Sequence, residues 1–184
     1  MSAITESSQI TYSTYIEREL RSDHAGETGA VYIYKGIIAV ATLLKNRELI
    51  SFAKNHGATE TEHLQLIESV LQNKYRSHLL GPWRLAGWLT GALPALSGRK
   101  AVYATIAAVE TFVELHYQQQ IDYLQKTGGH EQLLSLLIRC QADEIEHKNE
   151  AKSKTLTPLP LILKIWCAMV RGGSEAAVVL ARRF

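Results

Sequence analysis

The sequence predicts an all-α protein whose core is a four-helix bundle. Only four of the 184 residues are proline, and 21% are charged, a composition that permits long helices and argues against disorder. A Glu-x-x-His pair, which sets a carboxylate and an imidazole on one face of a helix, occurs twice, at Glu60–His63 and at Glu144–His147. No segment shows a convincing strand pattern.

Each pair is preceded by a further glutamate at nearly the same spacing. Glu27 lies 33 residues before the first pair, and Glu110 lies 34 residues before the second. In a helical hairpin, two such positions lie level when the turn falls midway between them. The midpoint between Glu110 and Glu144 is residue 127, and the glycine pair that follows it is a helix stop. The midpoint between Glu27 and Glu60 falls just before residues 45–47, a weaker turn. Four helices would therefore bring four glutamates and two histidines to one height.

This set of side chains predicts a site for two metal ions. Four carboxylates carry a charge of about −4, which two divalent cations would neutralise inside a bundle. Oxygen and nitrogen donors suit iron or manganese, whereas zinc more often recruits cysteine and calcium avoids histidine. The arrangement is that of the ferritin-like di-iron proteins, and the repeat favours it over a set of solvated helical charges. The predicted metal ligands are Glu27, Glu60, His63, Glu110, Glu144 and His147.

We expect one domain over residues 1–184, beginning with a loose polar tail at residues 1–14. The predicted bundle helices start near residue 15 or 16 and run to 44, then cover residues 47–75, 99–126 and 131–153. Gly26 and Gly29 flank Glu27, which indicates either close approach by a helix or ligand, or simple tolerance of glycine. The net charge of +2, without a basic block, excludes a strong nucleic-acid field.

Residues 79–98 form an apolar linker between the two hairpins. The linker is nearly long enough to span a bilayer, but two prolines and four glycines interrupt it, and its two tryptophans favour an interface. We predict a short interfacial helix, with a crossover packed on the bundle as the alternative.

Residues 159–184 are predicted to form an amphipathic C-terminal helix. From Lys154 onward there are five Lys or Arg residues and one Glu, a composition that an anionic membrane surface attracts. A fifth helix that closes the bundle or a dimer interface is the alternative.

Three further side chains fall near the predicted site. Tyr34 and Tyr117 each follow a site glutamate by seven residues, so each lies on the same helix face as that glutamate. Such tyrosines serve as radical or proton relays or, more commonly, as core residues whose hydroxyl is hydrogen-bonded. Asp143 lies four residues before His147, where it is placed to accept the second ring N–H of that histidine or to be a surface charge.

Several motifs together resemble the demethoxyubiquinone hydroxylases of ubiquinone biosynthesis, small ferritin-like di-iron monooxygenases. The resemblance covers nearly the whole chain, and its motifs are specific in combination. The matching segments are Asp23-His24-Ala25-Gly26-Glu27, Glu60-x-x-His63-Leu64, Val109-Glu110, His116-Tyr117, Gln120-Ile121 and Asp143-Glu144-x-Glu146-His147.

The resemblance implies the same six iron ligands, and it implies that His116 and Tyr117 serve in quinone contact or electron relay. It further implies O₂-dependent hydroxylation of a polyprenyl demethoxyquinol, with NADH as a possible electron donor. Glu114, one turn after Glu110, departs from the family pattern and could be a surplus carboxylate near the site.

The resemblance also implies a peripheral location, on the cytoplasmic face of a bacterial inner membrane or the matrix face of the mitochondrial one. A ubiquinone-biosynthesis complex or a homodimer is a possible assembly. Two other functions use the same ligands. A di-iron quinol oxidase would reduce O₂ without altering the ring, and a ferritin-like iron-binding protein or ferroxidase would need no apolar linker or tail.

Overall fold

The computed structural model describes residues 12–155 and 158–184, and the described part is helical without strands, which confirms the predicted all-α, ferritin-like class. Most of the tail predicted at residues 1–14 lies outside the described residues. The helices are α1 (Thr14–Leu43), α2 (Arg47–Val70), a short 3₁₀ helix (Asn73–Tyr75), α3 (Leu80–Leu96), α4 (Arg99–Thr127), α5 (Glu131–Ser153) and α6 (Leu161–Ala181).

Local sequence signals set most helix ends. The Ser13 hydroxyl accepts a hydrogen bond from the Ile16 amide at the start of α1, and the Asn46 carboxamide accepts one from the Leu49 amide at the start of α2. Gly128, with a φ of 69°, ends α4 at the predicted glycine stop. These caps explain why the predicted starts of α1 and α2 and the predicted end of α4 lie close to the observed ones.

The predicted end of the second helix, at residue 75, is wrong. Helix α2 ends at Val70, and Leu71 is extended. The chain then turns so that the Arg21 Nε–H donates to the Tyr75 carbonyl at 2.8 Å and the Arg76 guanidinium pairs with Glu68. These contacts to α1 and to the last turn of α2 replace the helical bonds that a longer α2 would make.

The four long helices α1, α2, α4 and α5 form two antiparallel hairpins that pack into a bundle with a polar layer between two apolar cores. One core contains Ile37, Phe52 and Ile106 among other buried residues. The second contains Leu20 and Leu137 among others. All four predicted site glutamates fall between these two cores along their helices, so the polar residues are enclosed from both ends.

Helices α3 and α6 lie outside the bundle. Helix α3 packs on α1 through backbone contact, because a Cβ added at Gly87 would meet the Gly29 carbonyl oxygen at 2.2 Å and one at Gly91 would meet the Ile33 oxygen at 1.9 Å. The close approach therefore requires glycine at residues 87 and 91 of α3. A Cβ at Gly29 would make only an ordinary contact, 3.9 Å from the Trp83 carbonyl oxygen, and one at Gly26 would meet nothing within 4 Å, so glycine is tolerated rather than required at both positions.

Helix α6 packs on α4 through side chains, including a 2.8 Å hydrogen bond from the Trp166 indole to the Thr105 hydroxyl. Both outer helices expose large apolar side chains. On α3 these are Leu85, Trp88, Leu89, Leu93 and Leu96, and on α6 they are Leu161, Ile162, Ile165, Met169, Val179 and Leu180. Among the described residues, no helix is both long and apolar enough to cross a membrane.

Candidate metal centre

The structure brings all six predicted metal ligands together inside the polar layer, and all six are buried. They form two overlapping groups in which the potential ligand atoms lie within 4.8 Å of one another. The groups are Glu27, Glu60, His63 and Glu144, and Glu60, Glu110, Glu144 and His147. Glu60 and Glu144 belong to both groups, so both groups depend on these two carboxylates.

The two histidines each reach across to the opposite half of the chain. His63 Nδ1 lies 3.0 Å from Glu144 Oε1, and His147 Nδ1 lies 3.1 Å from Glu60 Oε1. Each Glu-x-x-His pair is therefore completed by the glutamate of the other pair, and the Nδ1 atoms of both rings face the carboxylates.

The electrostatics of the cluster call for positive charge. Burial, reinforced by the neighbouring carboxylates, raises the pKa of Glu27 and of Glu110 well above the ordinary value. Burial also acts to raise the pKa of Glu60, but hydrogen bonds to His147 and His63 outweigh it and bring the value to about 2. Burial acts to lower the pKa of His147, yet its bonds to Glu144 and Glu60 raise it to about 9. The pKa of His63 is raised for the same reason.

The donor set fits metal ions. Four carboxylates and two imidazoles converge, and the Oε2 atoms of Glu27 and Glu144 are buried without a hydrogen-bond partner in the part of the chain that the structure describes. An unpaired buried carboxylate oxygen is costly unless a cation or a donor reaches it. Two divalent ions would satisfy these atoms and take over the charge that protons on the two histidines otherwise supply.

The prediction that Asp143 bonds to His147 is wrong. Asp143 Oδ2 instead lies 3.0 Å from His63 Nε2, across the bundle on α2. Side chains on a helix lean toward its N-terminus, so Asp143 leans away from His147 and toward the antiparallel α2. The His147 ring packs instead against the His56 ring, with centroids 4.1 Å apart, and His56 Nε2 lies 2.8 Å from Glu150 Oε2.

Each of the two tyrosines bonds to the site glutamate in the other half of the chain. The Tyr117 hydroxyl donates to Glu27 Oε1 at 2.5 Å, and the Tyr34 hydroxyl donates to Glu110 Oε1 at 3.3 Å. Each tyrosine thus orients the carboxylate on the neighbouring helix, which the seven-residue spacing alone does not indicate.

His116 lies beside the cluster rather than in it. Its Nε2 atom is 3.0 Å from Asp23 Oδ1, which also accepts a 2.8 Å bond from the Gln120 carboxamide. On the other side, Glu19 Oε2 lies 3.9 Å from the same nitrogen and accepts a 2.8 Å bond from Arg182. This chain of contacts links the residue that follows α6 to α1 and α4.

Spacing did not indicate this network or the His56–Glu150 pair. Asp23 and His116 occur in the motifs of the family resemblance, but Glu19 and Arg182 are 163 residues apart and carry no shared sequence signal. Glu114, the surplus carboxylate, turns away from the cluster and pairs with Lys148 of α5.

A cavity of about 370 Å³ leads to the cluster between α1, α3, α4 and α6. Its walls are mainly apolar and include Trp83, Phe112, Val113, Trp166 and Met169. The polar residues that line it include His116, Tyr117 and the four clustered glutamates, Glu27, Glu60, Glu110 and Glu144. The arrangement can therefore hold an apolar molecule whose polar end meets the metal-binding groups.

Comparisons with known proteins agree with the resemblance seen in the motifs. A family model described as "Ubiquinone biosynthesis protein COQ7" matches residues 14–181. The "NADPH-dependent 3-demethoxyubiquinone 3-hydroxylase, mitochondrial" of Dictyostelium discoideum is 33% identical over 171 residues, covering 91% of this chain and 77% of that protein. The mouse (Mus musculus) protein of the same name is 31% identical over 175 residues, covering 92% of this chain and 78% of that protein.

The bacterial "3-demethoxyubiquinol 3-hydroxylase" of Rhodospirillum rubrum is 33% identical over 171 residues, covering 91% of this chain and 78% of that protein. The names of the mitochondrial relatives specify NADPH, where the sequence resemblance implied NADH.

Proposed function

The chain belongs to the family described as "Ubiquinone biosynthesis protein COQ7", and from this premise we propose that it is a 3-demethoxyubiquinol 3-hydroxylase. In the proposed reaction a polyprenyl quinol that lacks one ring oxygen receives an oxygen atom from O₂, and the other oxygen atom leaves as water. A nicotinamide nucleotide is the proposed source of electrons.

The observation that carries the proposal is the pair of overlapping ligand groups, whose four glutamates line a mainly apolar cavity. We propose that Glu27, Glu60, His63, Glu110, Glu144 and His147 would hold two iron ions, and Glu60 and Glu144 belong to both ligand groups. Bound iron would supply the redox chemistry that activates O₂.

The remaining side chains of the site position these ligands. Asp143 holds the Nε2–H of His63, which leaves Nδ1 directed at the carboxylates. Tyr117 and Tyr34 hold Glu27 and Glu110 by their hydroxyls. The apolar cores on either side exclude water from the ends of the polar layer, which strengthens every charge interaction within it.

His116 and Tyr117 are the proposed substrate-facing groups of α4. Both line the cavity beside the glutamates. Asp23 Oδ1 accepts a hydrogen bond from the Nε2–H of His116 at 3.0 Å, so the opposite ring nitrogen is left to accept a hydrogen bond. The substrate ring would then lie between this histidine and the metal-binding layer.

We further propose that the protein lies on a lipid surface through the exposed apolar faces of α3 and α6. These two helices also form walls of the cavity, so a long apolar tail could pass between them from the lipid. The surface would be the cytoplasmic face of a bacterial inner membrane or the matrix face of the mitochondrial inner membrane.

The direct test is the quinone profile, by mass spectrometry, of a bacterial host that lacks its own demethoxyubiquinone hydroxylase. We expect the wild type to restore ubiquinone and Glu144→Ala to leave the demethoxy intermediate. Glu146→Ala, which alters an exposed carboxylate two residues away, is the matched control and should restore ubiquinone. If the intermediate persists with the wild type while the purified protein binds two irons, the hydroxylase is contradicted and a quinol oxidase becomes the better account.

A further inference from the structure

Trp83 presents a buried hydrogen-bond donor without an acceptor. It lies in the first turn of α3 and lines the cavity, with its backbone near Gly29 of α1. The indole Nε1 atom is buried, and no acceptor for it exists among residues 12–155 and 158–184. Buried N–H groups are nearly always paired, so this one indicates a partner that comes from outside the chain.

The other side-chain donors that line the cavity are already engaged. The hydroxyls of Ser22, Thr90 and Ser174 each donate to a carbonyl of their own helix. Tyr117 donates to Glu27, and His116 lies within bonding distance of Asp23. Trp83 is therefore the side-chain donor left over on this wall of the cavity.

Trp166 provides a natural comparison. It lines the same cavity, but its indole N–H donates to the Thr105 hydroxyl at 2.8 Å. Two tryptophans thus line one cavity, one with its N–H satisfied by the protein and one whose N–H has no acceptor among the described residues. Removing the N–H of each separates the contribution of a ligand contact from that of aromatic packing.

The chemistry of the occupant follows from the surroundings of Trp83. The cavity walls are mainly apolar, so a hydrocarbon tail offers Trp83 no acceptor, whereas a quinone or quinol ring carries several oxygen acceptors. The backbone of Trp83 lies near Gly29, two residues along α1 from Glu27, and its side chain lines the same cavity as the clustered glutamates.

We propose that the Trp83 indole N–H donates a hydrogen bond to a ring oxygen of the quinone substrate and so sets the orientation of the ring. The inference rests on the proposed function for the identity of the ligand. It makes Trp83 a substrate-binding residue on α3, a helix that contributes none of the six proposed metal ligands.

The test compares Trp83→Phe with Trp166→Phe in equilibrium binding to the full-length protein, without turnover. The two probes are a decyl demethoxybenzoquinone and decylbenzene, which has the same tail but no ring oxygens. We expect Trp83→Phe to weaken quinone binding about five- to tenfold, as for loss of one hydrogen bond, and to leave decylbenzene binding unchanged. Trp166→Phe should not change the ratio of the two dissociation constants.

A second replacement guards against a folding defect. Benzothienylalanine at residue 83 keeps the shape of the indole but has sulfur in place of N–H, and it should weaken the quinone selectively as well. Equal weakening of both probes by Trp83→Phe, or no weakening of either, would overturn the inference. The wild type is assayed separately for hydroxylation, so a protein that binds quinone through Trp83 but does not hydroxylate it would contradict only the proposed function.

Discussion

The two halves of the chain, α1–α2–α3 and α4–α5–α6, repeat the proposed metal ligands but not the contacts that hold them. Each half is a hairpin with one glutamate on its first helix and a Glu-x-x-His pair on its second, followed by an outer helix. The outer helix of the first half packs by glycine backbones, and that of the second packs by side chains. Coordination fixes the ligand types and their spacing, whereas many packings can support them.

The surroundings of the two histidines show the same contrast. His63 has a carboxylate, Asp143, on its outer nitrogen, whereas His147 packs against His56, which in turn bonds to Glu150. The position of His56, four residues before Glu60, corresponds in the second half to Cys140, a buried free thiol. The halves should therefore respond differently when equivalent contacts are removed.

The largest expected difference is between shared and unshared glutamates. Because Glu60 and Glu144 belong to both ligand groups, Glu60→Ala or Glu144→Ala should abolish binding of both ions, and with it hydroxylation. Glu27→Ala or Glu110→Ala should remove one ion and keep the other. Iron per chain after reconstitution measures this. Glu114→Ala removes a carboxylate that pairs with Lys148 outside the cluster, so this control should retain both ions. Equal loss of iron in all four site variants would contradict the distinction between shared and unshared glutamates.

The next largest difference between the two halves should come from the packing of their outer helices. Gly91→Ala places a methyl group against the Ile33 backbone, and we expect it to lower the free energy of unfolding by about 3 kcal/mol. In the second half, Thr105→Val removes the acceptor of the Trp166 indole and should cost about 1 kcal/mol. Denaturant unfolding measures both. Gly81→Ala, on the same helix with no neighbour within 4 Å, should cost nothing; a similar loss there would refute the close-packing account.

A smaller effect is expected from the carboxylates around the histidines. Asp143→Asn should weaken metal binding about tenfold or more, because it loosens a ligand ring directly. Glu150→Gln should have less effect, since it bonds to His56 rather than to a proposed ligand. Competition with a chromophoric chelator gives the affinities, with Glu146→Gln as the control. A larger loss for Glu150→Gln would reverse the assigned order.

Metal binding should also depend on pH. The pKa of His147 in the metal-free protein is raised to about 9, so at lower pH a metal ion must displace a proton from this ring. For this group alone, apparent affinity should fall about tenfold for each unit of pH below about 9. Cobalt(II) titration of the metal-free protein at several pH values measures the slope. If the affinity does not change with pH below 9, metal binding does not displace a proton from His147.

The sequence predicted the helices and the convergence of the six polar residues well, because hairpin spacing and glycine stops are local signals. It failed where a contact depends on how two helices face one another. The four-residue spacing of Asp143 and His147 suggested a bond that the N-terminal lean of the side chain directs to His63 instead. The early end of α2 depends on Arg21, which lies 54 residues from its partner Tyr75.

The most direct test of the central claim is the fate of ¹⁸O₂ during turnover by the purified, iron-loaded protein with a demethoxyubiquinol. The proposed function predicts a ring product heavier by one ¹⁸O atom, formed by the wild type and by Glu146→Ala but not by Glu144→Ala. Consumption of ¹⁸O₂ with the ring unlabelled and all label in water would contradict hydroxylation and identify a quinol oxidase.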